Sequence, residues 1–437
     1  MHSDTIYALS SAPGRAGIAV VRVSGPDAAR AVQALTGKPP PEPRNAVLAR
    51  FSDASGTAID RGLVLYFATP ASFTGEDATE FHIHGGRATV EALLAALAAA
   101  GLRPAEPGEF TRRAVENGKL DLTQAEAVAD LINAETDAQR RQALRQYDGA
   151  LSDLYERWRQ ELVRATAWAE AAIDFSDEEL PADMLARVNR AAQGILQEIQ
   201  EHLDDSGRGE TLREGLYLTV IGPPNAGKSS LVNALARRDV AIVAEAAGTT
   251  RDIVEARLDL GGYLVTLADT AGLRQTSEAV EAEGVRRALA RAESADLVLL
   301  LLDGSTDDPM AGLPPNMRAD LTVWNKADLP WPRRRDGFVV SLRTGRGLDA
   351  LVNALTAEVR NRLDAPGEAP VLTRERHRHA LEQAARSLEA ALAAPPGHPE
   401  LLAEDLRLVL RALGRITGRV DVEELLDVVF RDFCIGK

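Results

Sequence analysis

The sequence predicts a multidomain α/β and α protein. It divides into an N-terminal α+β domain (1–118), a helical domain split into 119–210 and 364–437, and an inserted domain (211–363) with a mostly parallel sheet. Three observations carry this expectation. At 437 residues the chain is too long for one core, and at 45% hydrophobic residues it can fill several. From Leu216 to about Leu363, strand-length apolar runs alternate with helical stretches, as a parallel sheet covered on both faces requires. Helical sequence flanks that region on both sides, which fits one helical domain holding another in a surface loop.

Each element has a local reason. Ile18–Val23 and Leu63–Phe67 are apolar and β-branched enough for strands, and Lys38–Pro43 is a proline-rich loop. Ala88–Ala100 is an alanine-rich helix that stops at Gly101. Leu122–Ile173 has helical composition and no proline, and a further helical segment runs from Pro181, tolerated in a first turn, to Leu203. Leu216–Ile221 and Leu297–Leu302 read as buried parallel strands. Gly304–Asp320 barely reaches the ~10–12 residues that a crossover with its helix needs, so a stunted helix is expected there. From Thr373 onward the pattern is helical, broken at Ala394–His398.

A net charge of −15 argues against indiscriminate nucleic-acid binding, which needs clustered cations. Two small arginine groups, Arg407/Arg411/Arg415 and Arg140/Arg141/Arg145, are either solvated helix surface or local RNA-facing patches. Cys434 is the single cysteine, so no internal disulfide is expected and a reducing, cytoplasmic location fits. Cys434-Ile-Gly-Lys437 resembles a prenylation box only formally, since lysine is not a usual last residue. No apolar run approaches the ~20 residues of a membrane span, and no secretion signal is evident.

Four elements in fixed order carry the chemistry. Gly222-Pro-Pro-Asn-Ala-Gly227-Lys228-Ser229 is a phosphate loop following a strand. Its glycines let backbone N–H groups face phosphate oxygens, Lys228 reaches the β- and γ-phosphates, and the Ser229 hydroxyl suits Mg2+. Thr249-Thr250 supplies a switch threonine, Thr250, that ligates the metal only with the γ-phosphate present. Asp269-Thr270-Ala271-Gly272 supports the metal shell. In Asn325-Lys326-Ala327-Asp328 the Asp328 carboxylate accepts from the ring N–H and amine of guanine, a donor pair that adenine lacks. The inserted domain is therefore expected to be a P-loop G domain with GTP as substrate. Leu273 stands where many regulatory GTPases place a water-orienting glutamine, which leaves Arg274, Glu278, Glu281 and Glu283 as candidates to replace it.

Outside these elements the chain resembles the MnmE (TrmE) family of tRNA-modifying GTPases over essentially its whole length. The resemblance rests on Asp4-Thr-Ile6, Pro13–Ile18, Arg22-Val-Ser-Gly25, Ser72–Asp77, His84-Gly-Gly86, Pro107–Thr111, Asn117–Leu122 and Phe433–Lys437. It implies a GTP hydrolase acting in wobble-uridine modification of certain tRNAs. The expected partners are a flavoprotein of the MnmG (GidA) type, which uses FAD, in a heterotetramer, tRNA, and a second copy of the chain in a homodimer formed through the N-terminal domains. The product implied is a carboxymethylaminomethyl or aminomethyl group on uridine C5, with 5-formyl- or methylenetetrahydrofolate as one-carbon source. The alternative is a regulatory GTPase of ribosome assembly.

The resemblance also distributes the site residues. Folate falls to Arg22, Glu80, Lys119 and Lys437, which makes the first domain folate-binding and requires the C-terminus to fold back onto it. Glu80, His82 and His84 share a strand face, for which metal ligation is the alternative. Potassium falls to Asn225, Ala244, Ala246 and Thr249, and Mg2+ to Ser229 and Thr250. Glu281, with Lys228 and Asn225, forms the implied catalytic set. Nucleotide contacts fall to Asn225, Ala226, Gly227, Lys228, Ser229 and Ser230; to Ala244, Glu245, Ala246, Ala247, Gly248, Thr249 and Thr250; and to Asp269, Thr270, Ala271 and Gly272. Around the base they fall to Asn325, Lys326, Ala327, Asp328, Ser341, Leu342 and Arg343. Two departures stand out: Ala244 replaces a polar residue, and Ser341-Leu342-Arg343 replaces the usual Ser-Ala of the base-supporting loop.

Overall fold

The computed structural model describes residues 3–175, 184–238, 240–242, 255–268, 294–311, 313–314, 317–330, 336–364, 370–395, 398–420, 426, 429–430, 433 and 435–436. The chain forms two compact units: residues 1–129, 146–196 and 380–437, and residues 130–145 and 197–379. The described helices are α1 (Ala28–Thr36), α2 (Arg87–Ala99), α3 (Glu109–Glu116), α4 (Leu122–Asn133), α5 (Asp137–Tyr147), α6 (Ala150–Asp174) and α7 (Met184–Leu203). They continue with α8 (Arg208–Glu214), α9 (Lys228–Ala236), α10 (Leu348–Leu363), α11 (Glu375–Ala393) and α12 (Pro399–Thr417).

The first unit holds a six-stranded sheet of β1 (Ile6–Leu9), β2 (Ala16–Ser24), β3 (Val47–Ser52), β4 (Ala58–Phe67), β5 (Ala78–Gly85) and β6 (Arg103–Pro104), in the order β3-β4-β5-β2-β1-β6. Only β1–β6 is parallel. The predicted strands Ile18–Val23 and Leu63–Phe67 lie in β2 and β4, and the predicted helix at Ala88 is α2. Alternation sorts the faces of the sheet. Val21, Val23, Phe81 and Ile83 point into a core with Phe51, Val32, Leu93 and Leu97 from β3, α1 and α2. Each such side chain contributes about 1.5–3 kcal/mol of burial. The opposite face carries Ile6 and Ala8, covered by Phe110 of α3 and Phe73.

The C-terminus does return to this unit. Leu426, Phe430 and Phe433 pack on Leu122 and Ala125 of α4, and Ile435 forms an antiparallel bridge with Pro107. Ser10 Oγ donates to the Gly436 carbonyl at 2.9 Å. Gly436 has φ 96°, and a Cβ there would stand 2.2 Å from the Leu9 carbonyl oxygen, so only glycine passes.

The helical stretch expected over 122–173 is made of three helices, α4, α5 and α6. Asp121 opens α4 as a capping box, in which the Gln124 amide N–H donates to Asp121 Oδ1 and the Asp121 amide donates back to Gln124 Oε1. Gln139 plays the second part for α5, accepting from the amide of Thr136 at 3.1 Å.

The second unit holds a seven-stranded sheet with β7 (Leu216–Ile221), β8 (Ala241–Ile242), β9 (Glu255–Asp259), β10 (Leu264–Ala268), β11 (Leu297–Asp303), β12 (Leu321–Asn325) and β13 (Phe338–Val339). The order is β13-β12-β11-β7-β10-β9-β8, and all pairs are parallel except those that β9 makes. Leu218, Val220, Leu299, Leu301 and Val323 fill one face against Leu231 and Leu235 of α9 and Leu351, Leu355 and Val359 of α10. On the other face Ile221, Val298, Leu300, Leu302 and Trp324 are met by Met310, Leu313 and Met317. These three come from the short crossover Gly304–Asp320, in which no described residue is helical. Among the described residues, no helix is long and apolar enough to cross a membrane.

Candidate functional site

The phosphate loop follows the C-terminal end of the central strand β7, where a parallel sheet leaves a crevice for a ligand. Asn225 and Gly227 both have positive φ, 61° and 102°, which curls the loop around its own amides. Gly227 is the N-cap of α9, so the helix directs its first-turn N–H groups at the same space. Asn225, Ser229 and Ser230 are exposed there, and Ala226 is buried beneath them. Lys228 Nζ donates to the Gly222 and Pro223 carbonyls at 2.8 and 2.9 Å, which holds the ammonium over the start of the loop.

The residues expected to select the base, Asn325–Asp328, end or follow β12. Asn325 is buried and joins two loops: its Nδ2 donates to the Ala226 carbonyl at 2.8 Å, and its Oδ1 accepts from the Leu342 amide at 3.2 Å. Phosphate loop and base loop are thus tied through one amide side chain. Lys326 turns the chain with φ 66° and sends its ammonium 2.6 Å from Asp303 Oδ2. The Ala327 amide donates to the Val340 carbonyl, bracing this turn on the end of the sheet.

Asp328 accepts from Ser341 Oγ at 2.6 Å and sits 2.8 Å from Arg343 Nε. The Ser341 hydroxyl, foremost, together with Arg343 holds this carboxyl below its ordinary value, so it stays an acceptor. Asn325, Lys326, Ala327, Asp328, Ser341, Leu342 and Arg343 are therefore brought together with Asn225–Ser230 at one edge of the sheet. Ala244–Thr250, Asp269–Gly272, Leu273, Arg274, Glu278, Glu281, Glu283, Cys434 and Lys437 lie outside the described residues.

In the first unit Arg22 and Glu80 are direct cross-strand neighbours on β2 and β5. Arg22 Nε and Nη2 donate to Glu80 Oε1 at 3.2 and 3.1 Å, and the guanidinium lies 5.3 Å from the Phe73 ring centroid and 5.8 Å from that of Phe110. Lys119 Nζ donates to the Pro70 carbonyl at 3.1 Å. His82 Nε2 is 3.3 Å from Glu80 Oε2, whereas His84 Nδ1 turns to Asp60 at 2.9 Å. Among the described residues no three such side chains converge as metal ligands. The arginine clusters are partly engaged in ion pairs: Arg140 and Arg141 with Asp137, and Arg407 with Glu170 and Glu404.

The MnmE helical domain matches residues 122–434, and the GTP-binding protein TrmE N-terminus matches residues 5–119. The tRNA modification GTPase MnmE of Parvibaculum lavamentivorans is 58% identical over 440 residues, covering 99% of this chain and 100% of that protein. Its counterparts in Paramagnetospirillum magneticum and Rhodospirillum rubrum are each 54% identical, covering 100% of both chains.

The chain belongs to the MnmE family of tRNA modification GTPases. As an MnmE-family protein it is a GTP hydrolase.

Several contacts around these sites are absent from the sequence reading. Asp303 as the partner of Lys326, Asp60 as the partner of His84, and Phe73 and Phe110 around Arg22 come from segments distant in sequence. A signal existed for Asp303, an acid closing the apolar run of β11. Phe73 and Phe110 lie in Ser72–Asp77 and Pro107–Thr111, segments that carry the family resemblance, and only Asp60 had no such signal.

Proposed function

We propose that this GTPase drives wobble-uridine modification, installing a carboxymethylaminomethyl or aminomethyl group at C5 of certain tRNAs together with a flavoprotein of the MnmG type. Cytoplasmic location, a homodimer through the N-terminal domains and a heterotetramer with the flavoprotein complete the reading. The observation that carries it is the coexistence of two preorganised sites in one chain. One is the phosphate and base loops joined by Asn325; the other is an Arg22–Glu80 pair flanked by aromatic rings on a separate sheet. A carboxylate acceptor steadied by an arginine that itself lies against two aromatic rings suits the amine donors of a pterin ring, the head of a reduced folate. Arg22, Glu80, Lys119 and Lys437 would hold it, and the bound folate would supply the one-carbon unit.

In the G domain, Lys228 neutralises phosphate charge and the N-terminus of α9 orients it. Ser229 and Thr250 would hold Mg2+, with Asp269 in support. Asn225, Ala244, Ala246 and Thr249 would hold K+, and the exposed Asn225 fits as the side-chain ligand in that set. Such a cation supplies positive charge where the transition state develops negative charge. Glu281 takes over the water-orienting part that Leu273 leaves vacant. The division into 1–118, 119–210, 211–363 and 364–437 assigns these tasks to a folate domain, a split helical domain and an inserted G domain.

Mass spectrometry of tRNA nucleosides from a deletion strain tests the function. Loss of the C5-modified wobble uridines, restored by the intact gene, is expected, and normal uridines in the deletion strain would overturn the reading. For the hydrolytic part, Glu281→Ala should retain GDP binding while turnover falls by about 100-fold or more. Turnover of the wild-type protein should be faster in potassium than in sodium at equal ionic strength; equal rates would remove the cation site.

A further inference from the structure

Both oxygens of the Asp328 carboxylate already have a donor close by, and the two donors differ in kind. Ser341, fully buried, donates its Oγ to Oδ1 at 2.6 Å and is a fixed part of the pocket. Arg343 reaches Oδ2 with Nε at 2.8 Å, yet its side chain is 76% exposed. An ion pair so open to water is weakly held and exchangeable. The Leu342 amide is anchored on Asn325 Oδ1, so the loop backbone is fixed independently of the side chain at 343.

We propose that Arg343 is a specificity-setting residue of the base site: a counter-ion that guanine must displace from Asp328. The proposal rests on the reading of Asp328 as the base-selecting carboxylate. Guanine brings two N–H donors to the two oxygens, and those charge-assisted bonds replace a single exposed contact. Arg343 therefore lowers the affinity for guanine by competing for Oδ2. Xanthine is affected in the opposite sense. It has a carbonyl oxygen where guanine has the amine, so against Asp328 alone an acceptor meets an acceptor. A guanidinium beside the same carboxylate supplies the missing donor. Arg343 thus narrows the preference of the site for guanine over xanthine, an effect for which the usual small residues of this loop have no equivalent.

The test titrates fluorescent GDP and XDP against the full chain as wild type, Arg343→Ala and Asp328→Ala. Arg343→Ala should bind GDP about threefold more tightly and XDP less tightly, raising the GDP/XDP affinity ratio about tenfold, with an unchanged melting temperature. Arg343→Lys, which keeps the charge on a flexible stem, should fall between the two. A ratio that stays level or falls in Arg343→Ala, or weaker GDP binding there, overturns the proposal, because Arg343 would then support guanine or ignore it. Asp328→Ala separates the underlying reading: unchanged GDP affinity in that variant would show that the base is selected elsewhere.

Discussion

The two sheets place their functional groups by opposite means. In the mostly parallel sheet, the residues proposed to bind the nucleotide sit in loops beyond the C-terminal ends of β7 and β12, and much of what they offer is backbone amide and carbonyl. In the mostly antiparallel sheet, Arg22 and Glu80 are mid-strand side chains whose meeting depends on the register of β2 against β5. A loop site needs particular residues at consecutive positions, so it leaves a motif. A register site needs only that two strands pair correctly, and one of them, β2, is also tied through Ser24 to the buried Glu76–Arg113 pair. On that contrast, the first unit should be sensitive to loss of buried charge and the second to crowding of a loop.

The largest effect is expected at Arg113. Its side chain is 1% exposed and lies within hydrogen-bond reach of Asp4, Glu76 and Glu109, while Glu76 also accepts from Ser24 on β2. This network explains why acids recur in the segments Ser72–Asp77 and Pro107–Thr111: they support the sheet on which Arg22 is mounted. Arg113→Ala leaves the buried Glu76 without its cation, while Asp4 and Glu109 keep Arg103, and should destabilise the first unit by about 3–5 kcal/mol. Chemical denaturation would show this as an earlier first transition with GDP affinity unchanged. A loss of GDP affinity of similar size would end the separation between the two regions.

Gly227→Ala is the corresponding disruption of the loop site and should have a somewhat smaller effect. At φ 102° a side chain is already strained, and its Cβ would stand 2.5 Å from Asn325 Nδ2. Asn325 is buried and bonded at both ends, so it moves only by losing the Ala226 carbonyl or the Leu342 amide. Strain plus one orphaned buried group amounts to about 2–3 kcal/mol, or a fall in GDP affinity of roughly 30- to 150-fold. Wild-type affinity in this variant would mean that the bridge through Asn325 does not hold the two loops together.

The same contrast accounts for what the sequence could reveal. The apolar runs of β7 and β11 and the motifs around Lys228 and Asp328 were readable because chain neighbours do the work. The capping residues Asp121/Gln124 and Thr136/Gln139 were equally local and mark where the helical stretch divides, a signal that composition alone overlooks. Arg113 reads as a surface residue in Thr-Arg-Arg-Ala, because of the three carboxylates that surround it only Glu109, four residues earlier on α3, is local. The Arg22–Glu80 contact spans 58 residues, and strand alternation supplies faces but not partners. The displaced Ser-Ala pattern at 341–343 was visible, but its consequence, a guanidinium on Asp328, needs the fold of the loop.

The smallest predicted effect uses acidity to separate the two regions without substitution. His202, in the second unit, has its pKa lowered to about 4, chiefly by burial and further by His377 and Arg378, against an opposing pull from Asp205. The unfolded chain takes up that proton near 6.5 and the folded one only near 4, so stability contributed by neutral His202 is complete above 6.5 and is lost progressively as pH falls toward 4. In the first unit the carboxyls of Asp4 and Glu109 are held below their ordinary values: burial opposes their ionisation, but Arg103 and Arg113 outweigh it. Their contribution persists to lower pH and is lost only as pH falls through the ordinary carboxylate range and below it. Melting between pH 7.5 and 5.5 should therefore lower only the transition of the second unit, and His202→Gln should flatten that dependence. A first unit that weakens equally over this interval would mean that its buried charges do not set its acid response.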